Sequence, residues 1–280
     1  MISSLREKVL AGGALTSREM LSLAGTPRHL LPELFAAAHR IRIAFRGLAT
    51  ELCAIVNAKS GACPEDCAYC AQSMNSIWRS AVYPLLRREK VVEKAREAKE
   101  ERVGRFSVVT SGRRVTRAEL RRIAPMIEDV RSLGVMPCAS LGLLDRDALS
   151  FLRDHGLDRY HHNIETSERF FSSICTTHTY RDKVKTIEAA LSAGLSVCSG
   201  GIFGLGETWE DRVDMAVGLR EMTVHSVPVN FLIPIEGTRL GDRGLLQPLE
   251  ALSIVSLFRF ILPDREIRIC GGRTRVLGDL

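Results

Sequence analysis

Residues 52–70 read LCAIVNAKSGACPEDCAYC, a short apolar run followed by three closely spaced cysteines. The run 52–58 has the length of a strand and is mostly apolar, which predicts a strand buried on both faces. The cysteines fall in the loop that directly follows this run. In α/β barrels the residues that carry out chemistry lie in the loops after the strands. The stretch therefore predicts an α/β fold with a metal-binding loop after its first strand.

Short apolar runs recur along the rest of the chain, with amphipathic helical stretches between them. This alternation predicts βα units and a parallel sheet of the (β/α)₈ TIM-barrel type. The predicted strands, seven in all, are 52–58, 105–110, 135–141, 158–164, 195–203, 226–234 and 266–270. A further helix and strand would need roughly 30 residues, and only seven follow Arg273. We therefore expect a barrel that lacks its last strand, either as an open barrel or as a truncated copy of a longer chain.

The first 50 residues have a different pattern from the remainder. Apolar residues recur there at helical spacing, as in 34–45, without strand-like runs between them. We predict an N-terminal helical cap at residues 1–50 and the barrel at residues 51–280.

Composition excludes several functional classes. The net charge of +6 is mild, basic pairs are interleaved with acidic residues, and aromatic residues make up only 6%, so we expect no nucleic-acid partner. No run of about 18 apolar residues exists, so we expect no membrane span. The N-terminus has no apolar leader, and eight cysteines without a leader favour a reducing, cytoplasmic location.

The spacing of Cys63, Cys67 and Cys70 is the most informative chemical signal. Four thiolates would close a structural zinc or iron–sulfur site, whereas three leave one metal position open for a substrate. Only three cysteines lie together here, with the aromatic Tyr69 before the last of them. The spacing therefore favours a catalytic iron–sulfur cluster over a zinc-binding module.

The stretch 53–73 closely resembles the cluster loop of the biotin synthases, a family of radical S-adenosylmethionine (SAM) enzymes. The resemblance extends over about 30–273, and its motifs follow one another in the family's order. They are YHHNIETS (160–167), THTYRDKV (177–184), VCSGGIFGLGET (197–208), VPVNFLIP (227–234) and RICGGR (268–273).

The resemblance implies a [4Fe–4S] cluster on Cys63, Cys67 and Cys70 that binds SAM at its free iron. One electron then cleaves SAM and releases a 5′-deoxyadenosyl radical, which can abstract hydrogen from an unactivated C–H bond. It implies dethiobiotin as the substrate, sulfur insertion to give biotin, a flavodoxin- or ferredoxin-type electron donor, and a homodimer.

The resemblance also implies a second, auxiliary iron–sulfur cluster, [2Fe–2S] or larger, deep in the barrel. Its usual ligands in the family are three cysteines and one arginine. In this chain the corresponding positions are Ser107, Cys138, Cys198 and Arg273. Because a serine hydroxyl is a poor ligand for such a cluster, we expect Cys270 to restore the third thiolate. Arg273 can reach the same cluster only if the two glycines between them bend the strand.

The remaining site residues follow from the same resemblance. Asn163 and Glu165 correspond to partners of the SAM ribose, and Asn163 and Asn230 to partners of the ureido ring of the substrate. Lys183 corresponds to an arginine that pairs with the SAM carboxylate, although lysine lacks the bidentate fork. Gly204, Gly206 and Glu207 correspond to contacts with the adenosine, and Tyr69 is expected to contribute to cofactor binding. Cys53 and Cys175 have no assigned role.

Two other readings stay open. One is a different radical SAM enzyme of the same barrel group, such as a hydrogenase-maturation or methylornithine-type enzyme. The other is a truncated, inactive copy.

Overall fold

The computed structural model describes residues 1–77 and 80–278 of the chain. Residues 78–79 and 279–280, which belong to the predicted barrel domain, lie outside the described residues. The described strands are β1 (Cys53–Lys59), β2 (Arg105–Thr110), β3 (Met136–Ser140), β4 (Arg159–His161), β5 (Ser196–Cys198), β6 (Gly201–Phe203), β7 (Ser226–Phe231) and β8 (Glu266–Ile269).

The described α-helices are α1 (Ile2–Leu10), α2 (Ser17–Ala24), α3 (Leu31–Arg46), α4 (Arg88–Glu100), α5 (Arg117–Ser132), α6 (Arg146–Asp154), α7 (Glu168–Ile174), α8 (Tyr180–Ser192), α9 (Trp209–Glu221), α10 (Pro248–Ile261) and α11 (Arg273–Val276). In the described ranges, no helix has both the length and the apolar composition of a bilayer-spanning segment.

All strand pairs of the sheet are parallel, and neighbours in the chain are mostly neighbours in the sheet. The order is β1-β2-β3-β4-β5-β7-β6, and β8 pairs with the other side of β7. Within the described residues β8 and β1 do not pair, so the barrel is open between them. The predicted α/β barrel with an unclosed last position is therefore confirmed.

The predicted fifth strand is interrupted, so that β5 and β6 are its two halves. Both halves pair with β7, and Ser199 and Gly200 separate them. A Cβ atom at Gly200 would overlap the carbonyl group of Pro228, and one at Gly201 would overlap the carbonyl group of Glu165. The chain can therefore pass between its neighbours at this point only as glycine.

Successive side chains on each strand point alternately towards the surrounding helices and towards the barrel interior. On β2, Phe106 and Val108 are buried in the main hydrophobic core, which the helices share. Arg105 and Ser107 consequently face the opposite side, into the barrel. The same two-residue period applies on every strand and decides which side chains meet inside.

Several helices begin at reciprocal capping boxes. In α9 the Thr208 hydroxyl accepts a hydrogen bond from the Asp211 amide, while the Asp211 carboxylate accepts from the Thr208 amide at 2.8 Å. The two residues thus form a reciprocal capping box. Equivalent boxes at Thr116 and Thr179 begin α5 and α8. Such caps satisfy amides that have no partner within the helix.

The first three helices pack on the outside of the barrel. α3 lies against α10 and α1, and α2 lies against α9 and α10. Their buried side chains, such as Leu23 and Ile41, belong to the same continuous core as those of the barrel. The division of the chain at residue 50 stays a prediction.

Candidate active site

One cavity lies at the carboxyl ends of the strands, between β6, β7 and the loops that follow β1, β4, β7 and β8. Its volume is about 300 Å³. It is lined by Tyr69, Asn163, Glu165, Ile202, Asn230, Phe231, Leu232, Ile233, Gly271 and Gly272. Four predicted site residues, Tyr69, Asn163, Glu165 and Asn230, are therefore brought together from distant parts of the sequence.

The cysteine loop folds back on itself next to this cavity. The Cys63 amide donates to the Gln72 carbonyl at 3.0 Å, and the Cys63 carbonyl accepts from the Met74 amide at 2.8 Å. Cys63, Cys67 and Cys70 are all half-buried and free of disulfides. Three accessible thiols on one short loop are the donor set that a [4Fe–4S] cluster with one open iron requires, so the residues present fit this group.

Asn163 and Glu165 occupy the turn between β4 and α7. Glu165 has a φ of 70°, a left-handed conformation that is uncommon outside glycine. Its backbone is held on both sides, because its amide donates to the Gly200 carbonyl and its carbonyl accepts from the Ile202 amide. The Asn163 amide nitrogen lies 3.4 Å from the Glu165 carboxylate. This strained turn aims the carboxylate into the cavity.

The Asn230 amide is already used by the backbone of the cavity wall. Its nitrogen donates to the Gly201 carbonyl at 3.0 Å, and its oxygen accepts from the Gly271 amide at 2.9 Å. The side chain thereby joins β6, β7 and the end of β8 at the rim. Its orientation is fixed before any ligand binds.

Gly204, Gly206 and Glu207 form one hydrogen-bonded turn after β6. The buried Glu207 carboxylate accepts hydrogen bonds from the Gly204 and Gly206 amides and from Arg212. Both of its oxygens are therefore occupied in organising the glycine turn. None of the three predicted residues is among those that line the cavity described above. Their assignment as adenosine contacts stays a prediction.

Lys183 is buried in the first turn of α8 and its charge acts on the cysteine-loop side of the site. Burial is the main cause of the lowered pKa of His161 and of His162, and the charge of Lys183 lowers both further. It also counteracts the rise in the pKa of Cys67. A buried cation beside the cavity is suited to a carboxylate ligand.

Deeper in the barrel, Ser107, Cys138 and Cys198 face the interior, as their inward register positions require. Burial raises the pKa of the Cys138 thiol to about 12 and also raises that of Cys198. The Ser107 hydroxyl is buried, and no hydrogen-bond partner for it lies among the described residues. A buried hydroxyl without a partner, beside buried thiols, fits an additional group inside the barrel.

The structure places Arg273 outside the position expected for it. Gly272 adopts a left-handed conformation and begins α11, so Arg273 is an exposed helical residue rather than part of β8. Arg268, which sequence reasoning missed, lies on β8 two residues before Cys270 and shares its inward face. It donates to the Ser226 hydroxyl at 3.1 Å and to the carboxylates of Glu51 and Glu266.

Cys53 is a second residue that sequence reasoning did not assign, and it is exposed. It lies on the inward face of β1, opposite the core residues Val56 and Ala58. Burial is the main cause of the raised pKa of Cys138, and the nearby Cys53 thiol raises it further. The Cys53 thiol also raises the pKa of Cys270. The two-residue period of β1 was the signal that could have revealed it.

Three arginines give the barrel interior a cationic character, partly balanced by carboxylates. Arg159 pairs with Glu266 at 2.6 Å, Arg105 pairs with Asp158, and Arg268 pairs with Glu51. Burial opposes ionisation of Glu266, but the hydrogen bond from Arg159 holds its pKa at about 2. Such positive charge would stabilise an anionic iron–sulfur group.

Comparison with known proteins identifies the class to which this arrangement belongs. Residues 58–217 match the Radical SAM superfamily, and residues 228–280 match the Biotin and Thiamin Synthesis associated domain. The fold agrees, because methylornithine synthase superposes with a TM-score of 0.83 at 22% identity, covering 94% of this chain and 78% of the other. The chain is a radical SAM enzyme, and a [4Fe–4S] cluster and SAM are its cofactors.

Closer relatives narrow the class to one family. The biotin synthase of Thermodesulfovibrio yellowstonii is 56% identical over 240 residues, which cover 86% of this chain and 76% of the relative. The biotin synthase of Pelotomaculum thermopropionicum is 45% identical and covers 100% of this chain and 88% of the relative. The chain belongs to the biotin synthase family.

Proposed function

We propose that the chain converts dethiobiotin to biotin by inserting sulfur, with a [4Fe–4S] cluster on Cys63, Cys67 and Cys70. The observation that carries the proposal is the arrangement of two sets of cysteines in one barrel. Three lie on the loop whose Tyr69 lines the cavity, and others lie on strands of the same barrel. A substrate in the cavity would have a radical source at the rim and a sulfur source below it.

The bound cluster and SAM supply the radical that removes hydrogen from an unactivated carbon. The chain's own residues bind and orient the two ligands. Glu165 presents a carboxylate suited to the ribose hydroxyls of SAM, and Lys183 supplies a buried cation for its carboxylate. Asn163 serves the ribose and the ureido ring of the substrate. Asn230 holds the opposite wall in a fixed orientation.

The auxiliary cluster would lie among the inward-facing side chains of the barrel. We infer that its thiolates are Cys53, Cys138 and Cys198, with Arg268 as the arginine. Cys53 is the better third thiolate because it lies near both Cys138 and Cys198, whereas Cys270 lies near Cys198 and beyond the end of β8. Arg268 replaces Arg273 because it shares the inward face of β8. Ser107 adjoins the cluster without serving as a strong ligand.

The partners follow from the same chemistry. The reaction needs an external electron source, for which we propose a reduced flavodoxin or ferredoxin. The free state of all eight cysteines suits a reducing cytoplasm. A homodimer is the expected assembly.

The test is an anaerobic assay of protein reconstituted with iron and sulfide, supplied with SAM, dethiobiotin and a chemical reductant. We expect both 5′-deoxyadenosine and biotin. Cys63→Ala, Cys67→Ala and Cys70→Ala should each lose both products. Cys138→Ser should lose biotin but retain 5′-deoxyadenosine, because only the sulfur source is removed. Formation of 5′-deoxyadenosine without biotin by the unaltered protein would contradict the proposal.

A further inference from the structure

Cys175 and His178 form a cluster with Cys67 that the proposed reaction does not use. The ligand atoms of these three residues all lie within 4.8 Å of one another. The Cys175 sulfur is 3.9 Å from the Cys67 sulfur and 3.3 Å from Nδ1 of His178. Cys175 and His178 are both buried. Two thiols and an imidazole at this separation constitute most of a tetrahedral metal site.

Contacts between two chain segments hold the three residues together. The Ala68 amide donates to the Ile174 carbonyl at 2.8 Å, which joins the cysteine loop to the end of α7. The Asp66 carboxylate accepts from the amides of Thr176 and Thr177 at 2.9 and 3.2 Å. Arg239 donates to the carbonyls of both Asp66 and Ile174. The juxtaposition is therefore built into the fold rather than dependent on one flexible side chain.

A buried carboxylate orients the imidazole. The Glu65 carboxylate contacts Nδ1 of His178 and accepts a hydrogen bond from the Thr177 hydroxyl at 2.7 Å. When Nδ1 carries the proton, Nε2 is free to bind a metal, and it lies 3.8 Å from the Cys175 sulfur. A carboxylate behind a histidine is the usual outer partner of a metal-binding imidazole.

We propose that the cluster-free chain binds one soft divalent cation, Fe²⁺ or Zn²⁺, through Cys67, Cys175 and His178. Thiolate and imidazole ligands select these ions over Mg²⁺ and Ca²⁺. The fourth position opens towards a cavity of about 330 Å³ that Cys67 and Thr177 line. Because Cys67 also belongs to the [4Fe–4S] loop, the single ion and the cluster exclude each other. This last point alone depends on the proposed function.

The test uses Co²⁺ as the probe, added anaerobically to protein freed of cluster by chelation. The chain used carries Cys53→Ser, Cys138→Ser and Cys198→Ser, which remove the thiols inside the barrel. We expect one Co²⁺ per chain, with thiolate-to-cobalt absorption and the intense visible bands of a tetrahedral site, displaced by Zn²⁺. Adding Cys175→Ser or His178→Ala to this background should weaken Co²⁺ binding at least tenfold. Cys63→Ser and Cys70→Ser are the matched controls, and both should bind Co²⁺ as the background chain does.

The controls separate this site from one built only from the three loop cysteines. Loss of Co²⁺ binding in Cys63→Ser, with retention in Cys175→Ser, would overturn the proposal. X-ray absorption of the Co²⁺ protein in the same background supplies a readout that leaves Cys67, Cys175 and His178 unaltered. It should show two sulfur ligands and one imidazole nitrogen, and three sulfur ligands would equally overturn the proposal.

The outcome is distinguishable from failure of the proposed function. Cys175→Ser should still accept a [4Fe–4S] cluster and form 5′-deoxyadenosine, whereas Cys63→Ser should not. An unaltered protein that binds Co²⁺ as expected but forms no biotin would contradict the proposed reaction and leave the metal site intact.

Discussion

Cys53 and Ser107 show how the face of a strand decides the chemistry of a single residue. Ser107 occupies the position where the family has a cysteine, and its hydroxyl is buried without a partner among the described residues. Cys53, one strand away, lies on the same inner face of the barrel. Under the proposed ligand assignment it would supply the thiol that Ser107 lacks, and the auxiliary cluster would keep three thiolates.

We predict that Cys53→Ser removes the auxiliary cluster, because oxygen replaces one of its three thiolates. Biotin formation should fall at least tenfold, while 5′-deoxyadenosine formation persists. Iron and sulfide analysis with Mössbauer spectra measures the loss directly. Cys270→Ser is the control and should retain both clusters. If Cys270→Ser lost the cluster while Cys53→Ser kept it, Cys270 would be the third ligand, as the sequence suggested.

At the scale of the elements, the interruption between β5 and β6 shapes the cavity. Gly200 passes the carbonyl of Pro228, and Gly201 passes the carbonyl of Glu165, too closely for any side chain. The same contacts hold Glu165 in its left-handed conformation. The glycine pair therefore links the geometry of the strand to the orientation of a predicted SAM ligand.

We predict that Gly200→Ala destabilises the protein by about 1–3 kcal/mol, because the added methyl group pushes β5 away from β7. SAM binding should weaken as well, since the Gly200 carbonyl holds the Glu165 amide. Denaturant unfolding and calorimetric SAM titration measure the two effects. Gly244→Ala is the control, because a Cβ atom there meets nothing within 4 Å. Equal stability of the two variants would refute the argument.

At the scale of the whole molecule, ion pairs tie together strands that do not hydrogen-bond to one another. Arg159 on β4 reaches Glu266 on β8, and Arg268 on β8 reaches Glu51 just before β1. The second pair connects the two strands that border the opening of the barrel. Side chains thus hold the two edges together where no backbone pairing exists within the described residues.

We predict that Glu266→Gln destabilises the protein by about 1–3 kcal/mol at pH 7, because it leaves Arg159 without its carboxylate. The pKa of Glu266 is lowered from 4.5 to about 2 in the folded state. Its contribution is therefore complete above about pH 5 and is lost as the pH falls towards 2. The stability difference between the variant and the unaltered chain should therefore shrink steadily as the pH falls from 5 to 3, as unfolding curves measure.

A suitable control for this pH dependence is Glu93→Gln on the surface of α4. Glu93 pairs with Lys90 in an exposed position. Screening by solvent makes such pairs weak, so its unfolding midpoint should match that of the unaltered chain at every pH. A constant difference between Glu266→Gln and the unaltered chain down to pH 3 would argue against the assigned role.

The sequence by itself determined the local elements and the cysteine loop. Strand and helix periodicity, the threonine caps and the spacing of Cys63, Cys67 and Cys70 are written in neighbouring residues, so short-range patterns suffice to predict them. Counting the apolar runs likewise predicted seven strands, one fewer than a closed (β/α)₈ barrel has. The family followed from motifs in their order along the chain.

Only the tertiary structure decided which distant side chains meet. It placed Arg268 rather than Arg273 inside the barrel, because β8 ends at Ile269 and a left-handed Gly272 starts α11 at Arg273. It placed the Glu207 carboxylate where it accepts hydrogen bonds from the Gly204 and Gly206 amides. It also brought the Cys175 thiol next to the Cys67 thiol, although the two residues are 108 positions apart in the sequence. These outcomes depend on strand register, barrel curvature and loop packing. Such features arise from contacts across the whole fold and leave no local pattern in the sequence.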